Sequence, residues 1–298
     1  MAAVLAINGI AKNYGSVRAL NGVSFEVPEG SVFGVLGPNG SGKTTLLSII
    51  LNVLKANQGQ FSWFGQPASS EQRKKIGSLL ETPNFYHYMS ASDNLKITKQ
   101  ISGRGTDADI ESVLKKVGLY QRRNSAFRTF SLGMKQRLAI GAALLGSPRV
   151  LVLDEPTNGL DPVGIAEIRA LINELKDAGH TIIMASHLLD EVEKVCTHVA
   201  ILKTGNLITT GDVEEVLSND DVVEVSAADL QGLEAAMRQW PGCSNFEITG
   251  TAVSVTLKKG TARLDDINKY CFEKGIVLNH LILKKKRLEA RFFELTNN

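Results

Sequence analysis

Residues 37–44 read Gly-Pro-Asn-Gly-Ser-Gly-Lys-Thr, a spacing suited to holding a nucleoside triphosphate. Gly37, Gly40 and Gly42 are expected to take positive φ. With Pro38, Asn39 and Ser41 they would turn backbone N–H groups inward as a nest for phosphate oxygens. Lys43 brings a point charge suited to the β and γ phosphates, and the Thr44 hydroxyl suits Mg²⁺. The run Val32–Leu36 predicts a buried strand before the loop, and the apolar spacing from Thr45 to Leu54 predicts a helix after it. Thr45 belongs to the same set, because phosphate oxygens at a helix N-terminus meet free N–H groups and the positive end of the macrodipole.

A second group of chemistry-bearing residues lies more than a hundred positions on. Val150–Leu153 reads as a buried strand that delivers two carboxylates, Asp154 and Glu155, to a sheet edge. Asp154 suits support of Mg²⁺, usually through water, and Glu155 suits polarising a water for in-line attack on the γ-phosphate. Alone, the pair would read as the polar end of a strand. His187 follows the apolar strand Thr181–Met184 and could contact a γ-phosphate or sit as an ordinary surface histidine. Ser131 stands where a helix through Met134–Leu145 needs an N-cap.

These residues must be positioned by an α/β framework. Short apolar runs at Val4–Ile7 and Val23–Val27 predict a β-rich N-terminal part, and residues 85–148 read mainly as helices, an inserted helical subdomain. A helix over Pro162–Asp177, a helix from Leu188 and strands at His198–Leu202 and Leu207–Thr210 restore the α/β alternation. Polar Asn219-Asp220-Asp221 marks a boundary, giving domains at 1–218 and 219–298. The order βαββαβ after it predicts a small α+β domain. Lys284–Arg287 reads as a solvated strand end, and Leu288–Leu295 as a short amphipathic helix.

At 298 residues with a net charge of +2, the composition gives no case for a specific nucleic-acid partner. Three well-separated cysteines suit free thiols in a reducing compartment. No apolar run reaches 18 residues and the N-terminus lacks a secretion signal, so a cytoplasmic location is expected.

Phe130-Ser131-Leu132-Gly133-Met134-Lys135-Gln136-Arg137, just before the acidic strand, resembles the signature sequence of ABC-type ATPases. Asn158-Gly159-Leu160-Asp161-Pro162 resembles that family's D-loop, Ser186-His187 its switch histidine, and Tyr14 the aromatic that stacks on adenine. The resemblance spans about residues 4–215 and is most like the bacitracin-resistance and lantibiotic-immunity branch of exporters. It implies an ABC ATPase core (P-loop, β-rich subdomain, helical insertion) that binds ATP and Mg²⁺ and hydrolyses ATP. It also implies a head-to-tail homodimer in which Ser131, Gly133 and Asp161 complete the partner's site, and a separate membrane permease that holds the chain at the cytoplasmic face. The sequence departs from the family at Leu132 and Met134, which replace the usual Gly and Gln. It departs again at Glu81, which stands where a strand ordinarily ends in Gln; there a carboxylate could approach Mg²⁺ or the attacking water.

Overall fold

Strand β1 (Ala3–Tyr14) and strand β2 (Val17–Pro28) pair as an antiparallel hairpin that buries Leu5, Ile7, Ile10, Leu20, Val23, Phe25 and Val27. This computed structural model describes residues 2–81, 84–217, 220–241, 243–250, 252–258 and 260–284. The chain divides into two compact units, Met1–Asp212 and Val213–Asn298. The division falls at the end of a strand, ahead of the 218/219 boundary suggested by the polar run.

In the first unit the chain continues through β3 (Val32–Leu36), α1 (Lys43–Ile50), β4 (Gln58–Trp63), β5 (Gln66–Pro67), α2 (Ser70–Arg73) and β6 (Ile76–Leu79). A helical stretch follows with α3 (Ala91–Ser102), α4 (Asp107–Lys116) and α5 (Leu132–Leu144). The unit closes with β7 (Val150–Asp154), α6 (Pro162–Asp177), β8 (Thr181–Ser186), α7 (Leu189–Val195), β9 (His198–Lys203) and β10 (Asn206–Asp212). β2-β1-β4-β5 form an antiparallel sheet, and β10-β9-β3-β8-β7-β6 form a second sheet that is parallel except for β10 at its edge.

Strands β3, β7 and β8 are buried along their whole length, which is why they appear in the sequence as unbroken apolar runs. One face of the parallel sheet (Phe33, Val35, Val150, Val152, Ile183) shares a core with α1, with the hairpin residues Leu5, Leu20 and Val23 and with Trp63 of β4. On β3, Gly34 leaves room for Cys196 and Val192, and a Cβ there would lie 3.0 Å from each. Burial pushes the Cys196 thiol well above its ordinary value, and all three cysteines are free.

Helix α1 ends at Ile50, four residues before the expected Leu54, because Asn52 takes φ 60° and breaks the helical ladder. Helix α4 begins in a capping box: Thr106 accepts from Asp109 N, and the Asp109 carboxylate accepts from Thr106 N. β4 and β5 were not expected; the run Gln58-Gly59-Gln60 gives little apolar alternation to read.

The second unit runs α8 (Val213–Leu217), β11 (Asp220–Ala227), α9 (Leu230–Arg238), β12 (Cys243–Thr249), β13 (Ala252–Lys258), α10 (Leu264–Glu273) and β14 (Leu278–Lys284). From β11 onward the order is βαββαβ, and the antiparallel sheet is ordered β12-β13-β11-β14. Val223, Val225, Val253 and Val255 pack under Leu233 and Met237 of α9 and Ile267 and Cys271 of α10. The expected helix at Leu288–Leu295 lies outside the described residues, as does Lys285–Arg287. No helix among the described residues is long and apolar enough to cross a membrane.

Candidate functional site

Because β3, β6, β7 and β8 are parallel, their carboxyl ends share one edge of the sheet. The phosphate loop leaves β3, Glu81 follows β6, Asp154 ends β7 with Glu155 directly after it, and His187 follows β8. Topology therefore gathers residues that are up to 150 positions apart in sequence.

The glycines of the loop serve two different needs. Gly40 and Gly42 have φ of 80° and 104°, and Gly42 is the N-cap of α1. Gly37 does not take the expected positive φ; a Cβ there would overlap the Ser41 hydroxyl and the Leu202 carbonyl of β9, so its requirement is space. A Cβ on Gly42 would lie 2.5 Å from the Ala19 carbonyl. The β1–β2 hairpin thus runs against the loop and carries Tyr14 at its tip. Tyr14 is half exposed, and the Lys12 ammonium lies 5.3 Å from its ring centre.

Lys43 is buried, and its ammonium turns back over the loop to donate to the carbonyls of Gly37 (2.8 Å) and Pro38 (3.2 Å). It also stands 3.5 Å from Glu155 Oε1. The other oxygen of that carboxylate, Oε2, is 2.9 Å from His187 Nδ1. Ser186 at the end of β8 accepts from Leu188 N at 3.0 Å and fixes the turn that carries the histidine. Sequence reading missed this Ser186 contact, although the serine directly before His187 was its signal.

Asp154 is almost fully buried. Burial pushes its carboxyl above the ordinary range. A hydrogen bond from Thr44 opposes this, the nearby Glu155 charge adds to the rise, Lys43 opposes it, and Glu81 adds a smaller rise. Its Oδ1 has no hydrogen-bond partner. A buried carboxylate with one free oxygen beside a threonine hydroxyl is a hard-oxygen donor set, and it fits Mg²⁺.

Ser131, Gly133 and Asp161 form a separate group. Ser131 caps α5 by accepting from Met134 N (3.3 Å), and Asp161 caps α6 by accepting from Gly164 N (2.8 Å). The two helix starts approach closely: the Cβ position of Gly133 is 3.9 Å from Gly164 Cα, and that of Gly159 is 3.3 Å from the Leu132 side chain. Leu132 is half exposed at this point. Its packing beside Gly159 was not legible, since 27 residues separate them.

The family profile described as ABC transporter matches residues 20–158. The chain is 34% identical to the bacitracin transport ATP-binding protein BcrA of Bacillus licheniformis, over 99% of this chain and 98% of that protein. It is 38% identical to the lantibiotic transport ATP-binding protein SrtF of Streptococcus pyogenes, over 74% of this chain and 99% of that one. Among solved structures it is similar to cbiO1 from Clostridium perfringens, described as part of the ABC transporter complex cbiONQ. The TM-score is 0.66 at 28% identity, covering 81% of this chain and 97% of that one. Phosphate loop, acidic strand end, capped signature helix and near full-length similarity converge: the chain belongs to the ABC transporter family as an ATP-binding subunit, an ATPase.

Proposed function

We propose that this subunit closes as a head-to-tail homodimer around two ATP molecules and powers export through a separate membrane permease, the cargo being a peptide antibiotic or related compound. The observation that carries the catalytic part is the chain of contacts from Lys43 through Glu155 to His187 at the mouth of the phosphate loop. Transport of such a cargo is supported by the bacitracin and lantibiotic transport roles in the names of BcrA and SrtF. The permease is supported by the description of cbiO1 as part of a complex.

In this reading the loop N–H groups and Lys43 hold the triphosphate, Tyr14 stacks on adenine, and Glu155 orients the attacking water and takes its proton. His187, bonded to Glu155 Oε2, fixes the carboxylate and contacts the γ-phosphate. Thr44, Asp154 and Glu81 would hold Mg²⁺, which when bound neutralises charge on the phosphates. Ser131 and Gly133, at the start of α5, present N–H groups and a hydroxyl to the γ-phosphate of the opposite protomer, and Asp161 lines the same interface. Loss of the γ-phosphate removes that bridge and reopens the dimer. The segment from Glu81 to Tyr88, with the helical insertion, docks the permease and keeps the subunit at the cytoplasmic face of the membrane.

Trapping tests this reading. Glu155→Gln, expressed in the native host and solubilised gently with ATP and Mg²⁺, is expected to co-purify in stoichiometric amount with a polytopic membrane protein. Recovery from the soluble fraction alone would refute the transporter role.

A further inference from the structure

Helix α6 packs against both α5 and α7. The first of these begins at its Ser131 cap, and the second starts just after His187. Glu167 and Arg169 stand on α6 with one residue between them, so they leave the helix about 200° apart around its axis and can serve different neighbours. Glu167 Oε2 lies 3.5 Å from Arg137 Nη2 of α5, and Arg169 Nη1 lies 3.6 Å from Glu191 Oε1 of α7. The Arg137 and Glu191 side chains are only 19% and 12% exposed, so each pair has one partner largely shielded from water.

Neither pair is complete. Charge-assisted hydrogen bonds of this kind close to about 2.7–2.9 Å, as Lys115 and Glu111 do at 2.7 Å. Each α6 pair also leaves one buried atom with no hydrogen-bond partner among the described residues, Arg137 Nε in the first and Glu191 Oε2 in the second. An orphaned buried group costs free energy, so two pairs that served stability alone should not leave one each. Both have the means to close. Nε and Nη2 form the edge of a guanidinium that matches the two oxygens of a carboxylate, and Glu167 is the freer partner at 46% exposure. A cavity of about 220 Å³, lined by Lys116, Gly118, Arg137, Glu167 and Glu174, gives that carboxylate room to move. Arg137 itself is anchored: Nη1 donates to the Val117 carbonyl at the end of α4 (3.3 Å), and a Cβ on Gly118 would lie 2.9 Å from it. Glu191 is held from its own helix, where Lys194 donates to Oε1 at 3.5 Å.

We propose that Arg137, Glu167, Arg169 and Glu191 are positioning residues for ATP hydrolysis: their forks complete as Ser131 and His187 engage phosphate, and the closed forks hold both helix starts to α6. In the head-to-tail dimer Ser131 serves the opposite protomer's nucleotide and His187 its own, so α6 ties one site to the other. The proposal rests on the roles given above to Ser131 and His187 and adds the residues that place them.

The test is steady-state phosphate release by the purified chain, with kcat and KM for ATP read separately. Glu167→Gln and Arg169→Gln keep the side chains polar at partly exposed positions. Each should lower kcat by about tenfold with KM within about twofold, since a small misplacement of a reacting group is costly. Arg169→Lys keeps the charge but not the fork, and its kcat should fall between those of Arg169→Gln and the unsubstituted chain. A merely structural pair would lower the unfolding midpoint and leave kcat of the folded chain unchanged. The deciding measurement is made in a second background. In a His187→Ala chain, Arg169→Gln should change kcat by less than about twofold, because the group it positions is gone. Glu167→Gln should do the same in a Ser131→Ala chain. Equal slowing with and without the positioned residue would overturn the proposal. So would unchanged kcat in both Gln variants, or Arg169→Lys no faster than Arg169→Gln. If His187→Ala and Ser131→Ala themselves leave turnover unchanged, the roles of those two residues fall and take this one with them. If both slow turnover and the Gln substitutions still add in full, only the positioning pairs are refuted.

Discussion

Glu155 and His187 share one hydrogen bond, so their contributions to ATP hydrolysis should not add. Glu155→Gln preserves shape and can still offer an oxygen toward Lys43, but it removes the base. A positioned general base contributes about 10²–10⁴ in rate, so the barrier should rise by about 3–5 kcal/mol. The cost to folding is far smaller. The Lys43–Glu155 attraction at 3.5 Å is about 5 kcal/mol at an effective dielectric near 20, but desolvation cancels most of it, leaving about 1 kcal/mol. The unfolding midpoint should therefore move by only about 2–4 °C. His187→Ala alone frees Glu155 Oε2 from its 2.9 Å partner and should slow turnover by about a hundredfold. Once Glu155 is gone, the histidine has no base to orient, and the double variant should be within about tenfold of Glu155→Gln. Steady-state phosphate release with saturating ATP, beside ATP affinity for each variant, reads the cycle. The reasoning fails if His187→Ala slows the Glu155→Gln chain by the same factor as the unsubstituted one.

Two further perturbations follow from the same geometry. Burial first, and then the neighbouring carboxylates, raise the Asp154 carboxyl above its unfolded value. The folded state thus holds that proton more tightly, so the stability is full below the unfolded value and is lost as pH rises from there through the folded value. Asp154→Asn should therefore raise the nucleotide-free unfolding midpoint at pH 7, and the gain should vanish as pH falls below the ordinary aspartate range. Thermal shifts that show an equal gain at pH 4 and pH 7, or a loss at pH 7, would contradict this. Gly37→Ala should weaken ATP binding by at least about tenfold, because its Cβ would overlap Ser41 and the Leu202 carbonyl. Gly40→Ala meets nothing within 4 Å and should cost only the roughly 1–2 kcal/mol of a left-handed alanine. Isothermal titration of both variants decides whether space or backbone conformation governs each position.

How much of this could be read from sequence depended on whether the signal was local. The phosphate loop, β7 and α6 are continuous patterns: apolar runs where both strand faces are buried, and Pro162 at the first turn after the Asp161 cap. Ser131 as the cap of α5 was legible for the same reason. Strands β4 and β5 were not, because both are largely solvent-exposed and need few apolar residues to hold them, and Phe61 and Trp63 alone do not mark a period. Contacts across the sheet edge were illegible in detail. Nothing in the chain says that Glu155 Oε2 meets His187 Nδ1, or that the Thr44 hydroxyl faces Asp154. Those follow only from the register that pairs Asp154 with Ala185 on β8.

The least legible property of the site is also the one that shapes it. Adjacent strands β6 and β7 pair in register through Leu79 and Leu153, and shortly after each pairing a glutamate turns left-handed: Glu81 at φ 57° and Glu155 at φ 48°. A non-glycine residue there costs of order 1 kcal/mol or more and persists only where the surroundings impose it. Glu155 N donates to the Ala185 carbonyl at 3.0 Å, so β8 pins the turn that frees the side chain from the strand's alternation. Asp154 therefore stays buried against Thr44 while its neighbour reaches Lys43 and His187, and two consecutive carboxylates acquire different environments. Glu81 completes the arrangement from the next strand and adds its charge to the field at Asp154. Five residues beyond it stands exposed Tyr86, so the proposed permease surface and the proposed metal site are joined by one short run of chain.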